Sequence, residues 1–174
     1  MDISTITDAF GDVVLQQPTT GVIIAAILAA VLLLMSAFAS GSEIAFFSLS
    51  PSDVAELEDG KFGADKKIQN LRDDSERTLA TILIANNFVN VTIIMLLNYV
   101  IAGVISFGER ALLLQFLFTT VILTFLLLLF GEIMPKVYAR QDPLKFCRRC
   151  VGGIMFARKL FWPIENILLK SGMM

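Results

Sequence analysis

Apolar residues fill three stretches of this chain: Gly21 to Phe47, Thr78 to Gly108, and Ala111 to about Phe130. A helix crosses the hydrocarbon core of a bilayer with roughly 20 predominantly apolar residues, so each stretch predicts a membrane span. Thr19 and Thr20 offer capping oxygens to the first. The halves of that span differ. Val22 to Leu34 is uniformly apolar, whereas Ser36, Ala37, Ala39, Ser40, Gly41, Ser42, Ala45 and Ser48 are small and let another helix approach closely. Pro51, between Ser50 and Ser52, predicts the end of the span. The second stretch is longer than one perpendicular helix needs. It predicts a span and then a turn near Gly103 to Gly108, with Glu109 and Arg110 in the loop.

Residues 51–77 alternate acidic side chains with Lys61, Lys66, Lys67, Arg72 and Arg77. Their apolar positions, Val54, Leu57, Phe62, Ile68 and Leu71, predict a short helical hairpin turned by Gly60 and Gly63. After Lys136 the chain becomes basic and amphipathic, with Phe146, Val151, Ile154, Met155, Phe161 and Trp162 spaced among Arg and Lys. Such a helix suits the anionic cytoplasmic leaflet, or packs on a soluble domain outside this chain. Lys and Arg concentrate in the first connection and the tail and are missing from the first twenty residues. Cytoplasmic loops are the ones rich in Lys and Arg, so the N-terminus is expected outside and the C-terminus inside. The predicted architecture is an all-α membrane protein with three transmembrane helices, a cytoplasmic helical hairpin and a juxtamembrane amphipathic helix. Its parts are an extracytoplasmic segment 1–20, a membrane domain 21–140 with the insert 51–77, and a juxtamembrane helix 141–174.

Composition agrees: the chain is 56% hydrophobic with a mean hydropathy of +0.74, above what soluble domains carry. The first twenty residues lack the basic start of a signal peptide. Histidine is absent, which removes the commonest transition-metal ligand and the usual neutral-pH base. Cys147 and Cys150 form a single CxxC without a second pair, so two reduced thiols are expected rather than a closed zinc site. Nothing resembles a nucleophile–base pair or a phosphate-binding loop. An enzyme is therefore not expected, nor a nucleic-acid partner.

Chemistry concentrates in three polar clusters, one per span. Ser40 and Glu43 share a helix face with Ser36 one turn above; Asn86 and Asn90 share another; Gly131 and Glu132 precede Pro135. A carboxylate inside a span costs on the order of 3 kcal/mol at mid-membrane, and a functional role is its default reading. Pro135 has no N–H, so the Gly131 carbonyl loses its i+4 donor. The bland alternative is that Pro135 stops the helix and Glu132 pairs with Lys136, worth only about 0.2–0.5 kcal/mol. Ser in a membrane helix is ordinarily a packing contact, the expectation for Ser36 and Ser48, and Asn pairs often join helices. Together, though, carboxylate, amides, hydroxyls and a freed carbonyl form an all-oxygen set that suits Mg²⁺ or Ca²⁺.

The clusters Ser40-Gly41-Ser42-Glu43, Asn86-Asn87-Phe88-Val89-Asn90 and Gly131-Glu132-Ile133-Met134-Pro135-Lys136, in this order, resemble the transmembrane domain of the CNNM/CorC family of magnesium transporters. The resemblance covers residues from roughly 21 to 140. It implies a homodimer in the cell (inner) membrane that exports Mg²⁺, coupled to Na⁺ entry. It further implies a Mg²⁺ site near mid-membrane held by Ser40, Asn86, Asn90, the Gly131 carbonyl and Glu132. Ser36, Ser42 and Glu43 are candidates for supporting or coupling-ion roles. Nucleotide sensing in the family belongs to CBS modules, expected beyond Met174. The rival reading is a membrane anchor or assembly protein, as in relatives linked to gliding motility, whose polar clusters hold a dimer together.

Overall fold

The computed structural model describes residues 14–106 and 112–172, and the expectations for residues 1–13 and the Glu109–Arg110 loop lie outside the described residues. A short strand, β1 (Val14–Leu15), precedes α1 (Thr20–Phe47). The insert is α2 (Pro51–Glu58) and α3 (Asp65–Asp73), followed by α4 (Ser75–Val104) and β2 (Ile105–Ser106). Next, α5 (Leu112–Leu126) passes through a widened π-helical segment, Leu127–Ile133, into α6 (Met134–Gln141), and α7 (Pro143–Gly172) follows. Three helical runs, Thr20–Phe47, Ser75–Val104 and Gln115–Gln141, are long and apolar enough to cross a membrane. The chain is thus a multi-pass helical membrane protein with the expected three spans.

Local chemistry sets the ends. The Thr19 hydroxyl accepts from the Val22 amide at 3.4 Å and caps α1. At Ser50 a reciprocal cap opens α2: its hydroxyl accepts from the Asp53 amide at 3.2 Å, and the Asp53 carboxylate accepts from the Ser50 amide at 2.8 Å. Gly60, with φ of 64°, turns the hairpin in the left-handed region that other residues avoid. Leu57, Ile68 and Leu71 are buried as predicted. Phe62 is not; it lies exposed beneath the Arg148 guanidinium, 4.3 Å from the ring centre.

The turn expected from Gly103 onward begins later, because α4 continues through Gly103 to Val104. Gly103 serves a close approach instead: a Cβ there would fall 2.4 Å from Val22 Cγ2. Just beyond, β1 pairs antiparallel with β2, Val14 opposite Ser106 and Leu15 opposite Ile105. The Gln16 amide donates to the Val104 carbonyl at 2.8 Å, tying the start of α1 to the end of α4.

The tail helix packs within the chain's own domain, a partner that neither sequence reading named. Leu144, Cys147, Cys150, Val151 and Ile154 of α7 share one core with Leu57, Ile68 and Leu71 of the insert and with Ala45, Phe46 and Ile82. Its other apolar side chains, Met155, Phe156, Leu160 and Trp162, remain exposed and keep the helix amphipathic. Arg148 joins tail to insert, donating to buried Asp65 at 2.8 Å and to Glu56 at 2.9 Å, while Arg158 bonds Asp74. That guanidinium contact holds the Asp65 carboxyl below the usual range, outweighing the opposing effect of burial. Both cysteines are free and buried.

Candidate metal centre

In the third span the helix neither stops at Phe130 nor breaks at Pro135. It widens across Leu127–Ile133 and continues to Gln141. In the widened stretch the Met134 amide bonds the Leu129 carbonyl, five residues back. Proline inside an α-helix removes one bond and crowds the carbonyl four residues before it. A π-helical turn relaxes that spacing, and such turns occur frequently at functional sites. Gly131 is buried in the widened segment, and Glu132 is half-buried one residue on.

Ser36, expected to be a packing residue, is where the three clusters meet. Its fully buried hydroxyl lies 3.1 Å from Asn86 Oδ1 and also bonds Asn90 Oδ1. On the opposite side a Cβ on Gly131 would stand 3.2 Å from the same Ser36 oxygen. Two amide oxygens therefore converge on one hydroxyl, which has a single proton to donate. The result is a point rich in acceptors, against which Gly131 packs so closely that any side chain there would displace the Ser36 hydroxyl. Ser40, one turn along α1, is fully buried, and its hydroxyl has no hydrogen-bond partner among the described residues. Orphaned buried hydroxyls are uncommon and costly, and an oxygen-seeking cation satisfies one directly. No cluster of three or more His, Cys, Asp or Glu occurs among the described residues. The donor set is thus mostly neutral oxygen with one carboxylate, suited to a hard divalent ion that keeps some of its waters.

The remaining candidates separate. Glu132 makes no ion pair with Lys136, whose ammonium lies 3.4 Å from Glu43 Oε2 on α1 instead. The widening before α6 changes the angular position of Lys136, so the expected i,i+4 partner is not the one it meets. Ser42 turns away from the site and donates to the Phe38 carbonyl at 2.6 Å. Asn87 is exposed, off the face that Asn86 and Asn90 share.

Asn90 and Glu132 also line one cavity of about 680 Å³, which runs between α4 and the third span past Asn98, Gln115, Thr119, Thr120 and Thr124. These residues did not stand out in the sequence. Part of the signal was present as the i,i+4 spacing of Gln115 and Thr119, whereas Asn98 and Thr124 fall off the faces that Asn86 and Gln115 define on a regular helix.

Three apolar spans packed around buried serine and asparagine side chains define a multi-pass helical membrane domain. The chain belongs to the family described as the Cyclin M transmembrane N-terminal domain (CNNM), which it matches over residues 27–173. That match takes in the tail helix. A UPF0053 protein of Haemophilus influenzae is 32% identical over 143 residues, covering 80% of this chain and 32% of the relative. The metal transporter cnnm-4 of Caenorhabditis elegans is 30% identical over 136 residues, covering 75% of this chain and 28% of the relative. A chloroplastic DUF21 domain-containing protein of Arabidopsis thaliana is 31% identical over 149 residues, covering 83% and 21%. The chain spans a third or less of the length of these relatives.

Proposed function

We propose that this chain is the membrane-crossing part of a Mg²⁺ transporter, exporting the ion from the cytoplasm with Na⁺ entry as the driving exchange. One observation carries the reading: the Asn86 and Asn90 oxygens converge on Ser36 beside Gly131, with the Ser40 hydroxyl buried and unpartnered. Family membership and a metal transporter among the relatives support it. Ser40, Asn86, Asn90, the Gly131 carbonyl and Glu132 would hold the ion, and the carboxylate would supply the one formal charge. Amide and hydroxyl oxygens bind Mg²⁺ more loosely than a carboxylate cage, which suits an ion that must leave again. The working form is a homodimer in the cell (inner) membrane, its N-terminus outside and its insert and tail in the cytoplasm. Regulation by nucleotide, which the family resemblance implies, would lie outside this membrane domain.

The test is thermal unfolding of the purified protein against Mg²⁺, Ca²⁺, Mn²⁺ and Na⁺. A ligand that binds only the folded state stabilises it by RT ln(1 + [L]/Kd). Mg²⁺ is expected to raise Tm in the wild type, less so in Asn90→Ala, and not at all in Glu132→Ala. If both variants fold and respond like the wild type, the reading fails and a membrane anchor held together by its polar clusters takes its place.

A further inference from the structure

The cavity between α4 and the third span extends well beyond the candidate centre. Along the third span it reaches from Glu132 back to Gln115, a distance of about 25 Å at 1.5 Å per residue. Along α4 it runs from Asn90 to Asn98, about 12 Å on the same scale. Asn98 and Gln115 lie toward the ends of α4 and α5 that flank β2 and residues 107–111. The insert joins the opposite ends of α1 and α4. The cavity therefore leads from the candidate centre toward the face of the membrane domain remote from the insert.

Its lining is unusual for a surface inside a bilayer. Asn98, Gln115, Thr119, Thr120 and Thr124 face the space, and none of them has a side-chain hydrogen bond among the described residues. An unpaired amide or hydroxyl against hydrocarbon costs free energy that water would remove. At the inner end stands Glu132, a carboxylate with no hydrogen bond or ion pair among the described residues. A carboxylate facing hydrocarbon alone is costlier still. The neighbouring face of α5 is different in kind, because Leu117 and Val121 are exposed and wholly apolar. Within the concavity these polar side chains form a track beside Ile94, Phe116, Leu123, Leu127 and Leu128, which make up the rest of its wall.

From this lining we infer that the cavity is a water-filled vestibule through which a hydrated cation passes between the Ser36–Asn90–Glu132 centre and the face opposite the insert. Thr119 and Thr124 hydroxyls and the Asn98 and Gln115 amides replace lost hydration by offering oxygens along the route, with Glu132 attracting the ion at its end. The inference rests on the cation reading above but makes a separate claim, since it concerns where water goes.

Single cysteines at Thr119, Thr124, Leu117 and Val121 test it in the full chain in intact membranes, with a membrane-impermeant thiol reagent applied to either side. The wild type, with Cys147 and Cys150 buried, is the blank. Gln16→Cys and Lys61→Cys mark the two faces. Thr119→Cys and Thr124→Cys are expected to react from the Gln16 side at least about tenfold faster than Leu117→Cys and Val121→Cys, because the reactive thiolate does not form in hydrocarbon. Equal, slow labelling at all four positions overturns the vestibule, as does labelling from the Lys61 side. Oxidative cross-linking of Thr119→Cys between two copies, without labelling, also overturns it, since a second copy then fills the space. Failure here with Mg²⁺ stabilisation intact leaves the cation site standing. Labelling as expected without Mg²⁺ stabilisation leaves the vestibule standing and removes the cation site.

Discussion

Lys136 reaches from α6 to Glu43 on α1, Nζ to Oε2 3.4 Å, and both side chains are about a quarter to a third exposed. The contact joins the first span to the third on the far side of Pro135 from the candidate centre. Removing either partner leaves a charge in a half-buried, partly apolar setting, a loss of about 1–3 kcal/mol. Glu43→Gln and Lys136→Met are each expected to lower Tm in detergent. The exchanged pair Glu43→Lys with Lys136→Glu should recover much of it. A double variant no better than the two losses added would show that the side chains act independently.

Gly131→Ala keeps the backbone carbonyl and removes no polar atom. The added methyl would stand 3.2 Å from the Ser36 oxygen, tighter than an ordinary contact. Ser36 must then give way, and with it the Asn86 and Asn90 oxygens that it draws together. Mg²⁺-dependent stabilisation is expected to fall about tenfold in apparent affinity, the equivalent of roughly 1.4 kcal/mol. Alanine is the better helix former by about 1 kcal/mol, so the ion-free protein should lose little. Titration calorimetry alongside ion-free melting separates the two effects.

Pro135→Ala restores an N–H that regular α-helical spacing would aim at the Gly131 carbonyl. The variant is expected to melt no lower than the wild type without Mg²⁺ and to bind the ion more weakly, because the carbonyl gains a competing donor. Equal affinities in calorimetric titration would show that this carbonyl is not a ligand.

Acid should loosen the junction of insert and tail. Arg148 holds the Asp65 carboxyl below its usual value of about 3.9. A carboxylate whose pKa is lower in the folded state contributes stability fully present above the unfolded value, and lost as pH falls through the folded one. Arg148, itself pushed upward by the same contact, stays charged throughout. The protection factors of α2 and α3 amides, taken against the intrinsic exchange rate at each pH, are therefore expected to be steady from pH 7 to about pH 5 and to fall below about pH 4. In Asp65→Asn the same amides should exchange faster at neutral pH and respond much less to acid.

The sequence made the three spans, the insert and its Gly60 turn legible, because long apolar runs and a left-handed glycine are local signals. It also marked Asn86, Asn90, Gly131 and Glu132, whose polarity is conspicuous in a membrane helix. Ser36 stayed ambiguous between a packing contact and a supporting role, since a serine among alanines looks the same whether it packs or joins two asparagines; only the third dimension distinguishes them. The same holds for Lys136, whose partner lies on another span. Gly103 read as a turn because glycine's two uses, freedom of φ and lack of a side chain, are indistinguishable in a one-dimensional string. The tail read as a membrane-surface helix because its buried and lipid-facing apolar residues differ only in what lies opposite.

The widened segment Leu127–Ile133 imposes a rule of counting on the chain. A π-helical turn holds about one residue more than the α-helical turn it replaces, so everything beyond it is offset by roughly 100° from an unbroken helix. Lys136 meets Glu43 only with that offset in place. Exchanging one leucine of this segment for another aliphatic residue leaves the angular phase alone. Removing a single residue would let the helix close into regular form and swing Lys136 a quarter-turn or more away. The leucines of the segment are therefore interchangeable with other aliphatic residues, whereas its length is held by the contact between Lys136 and Glu43.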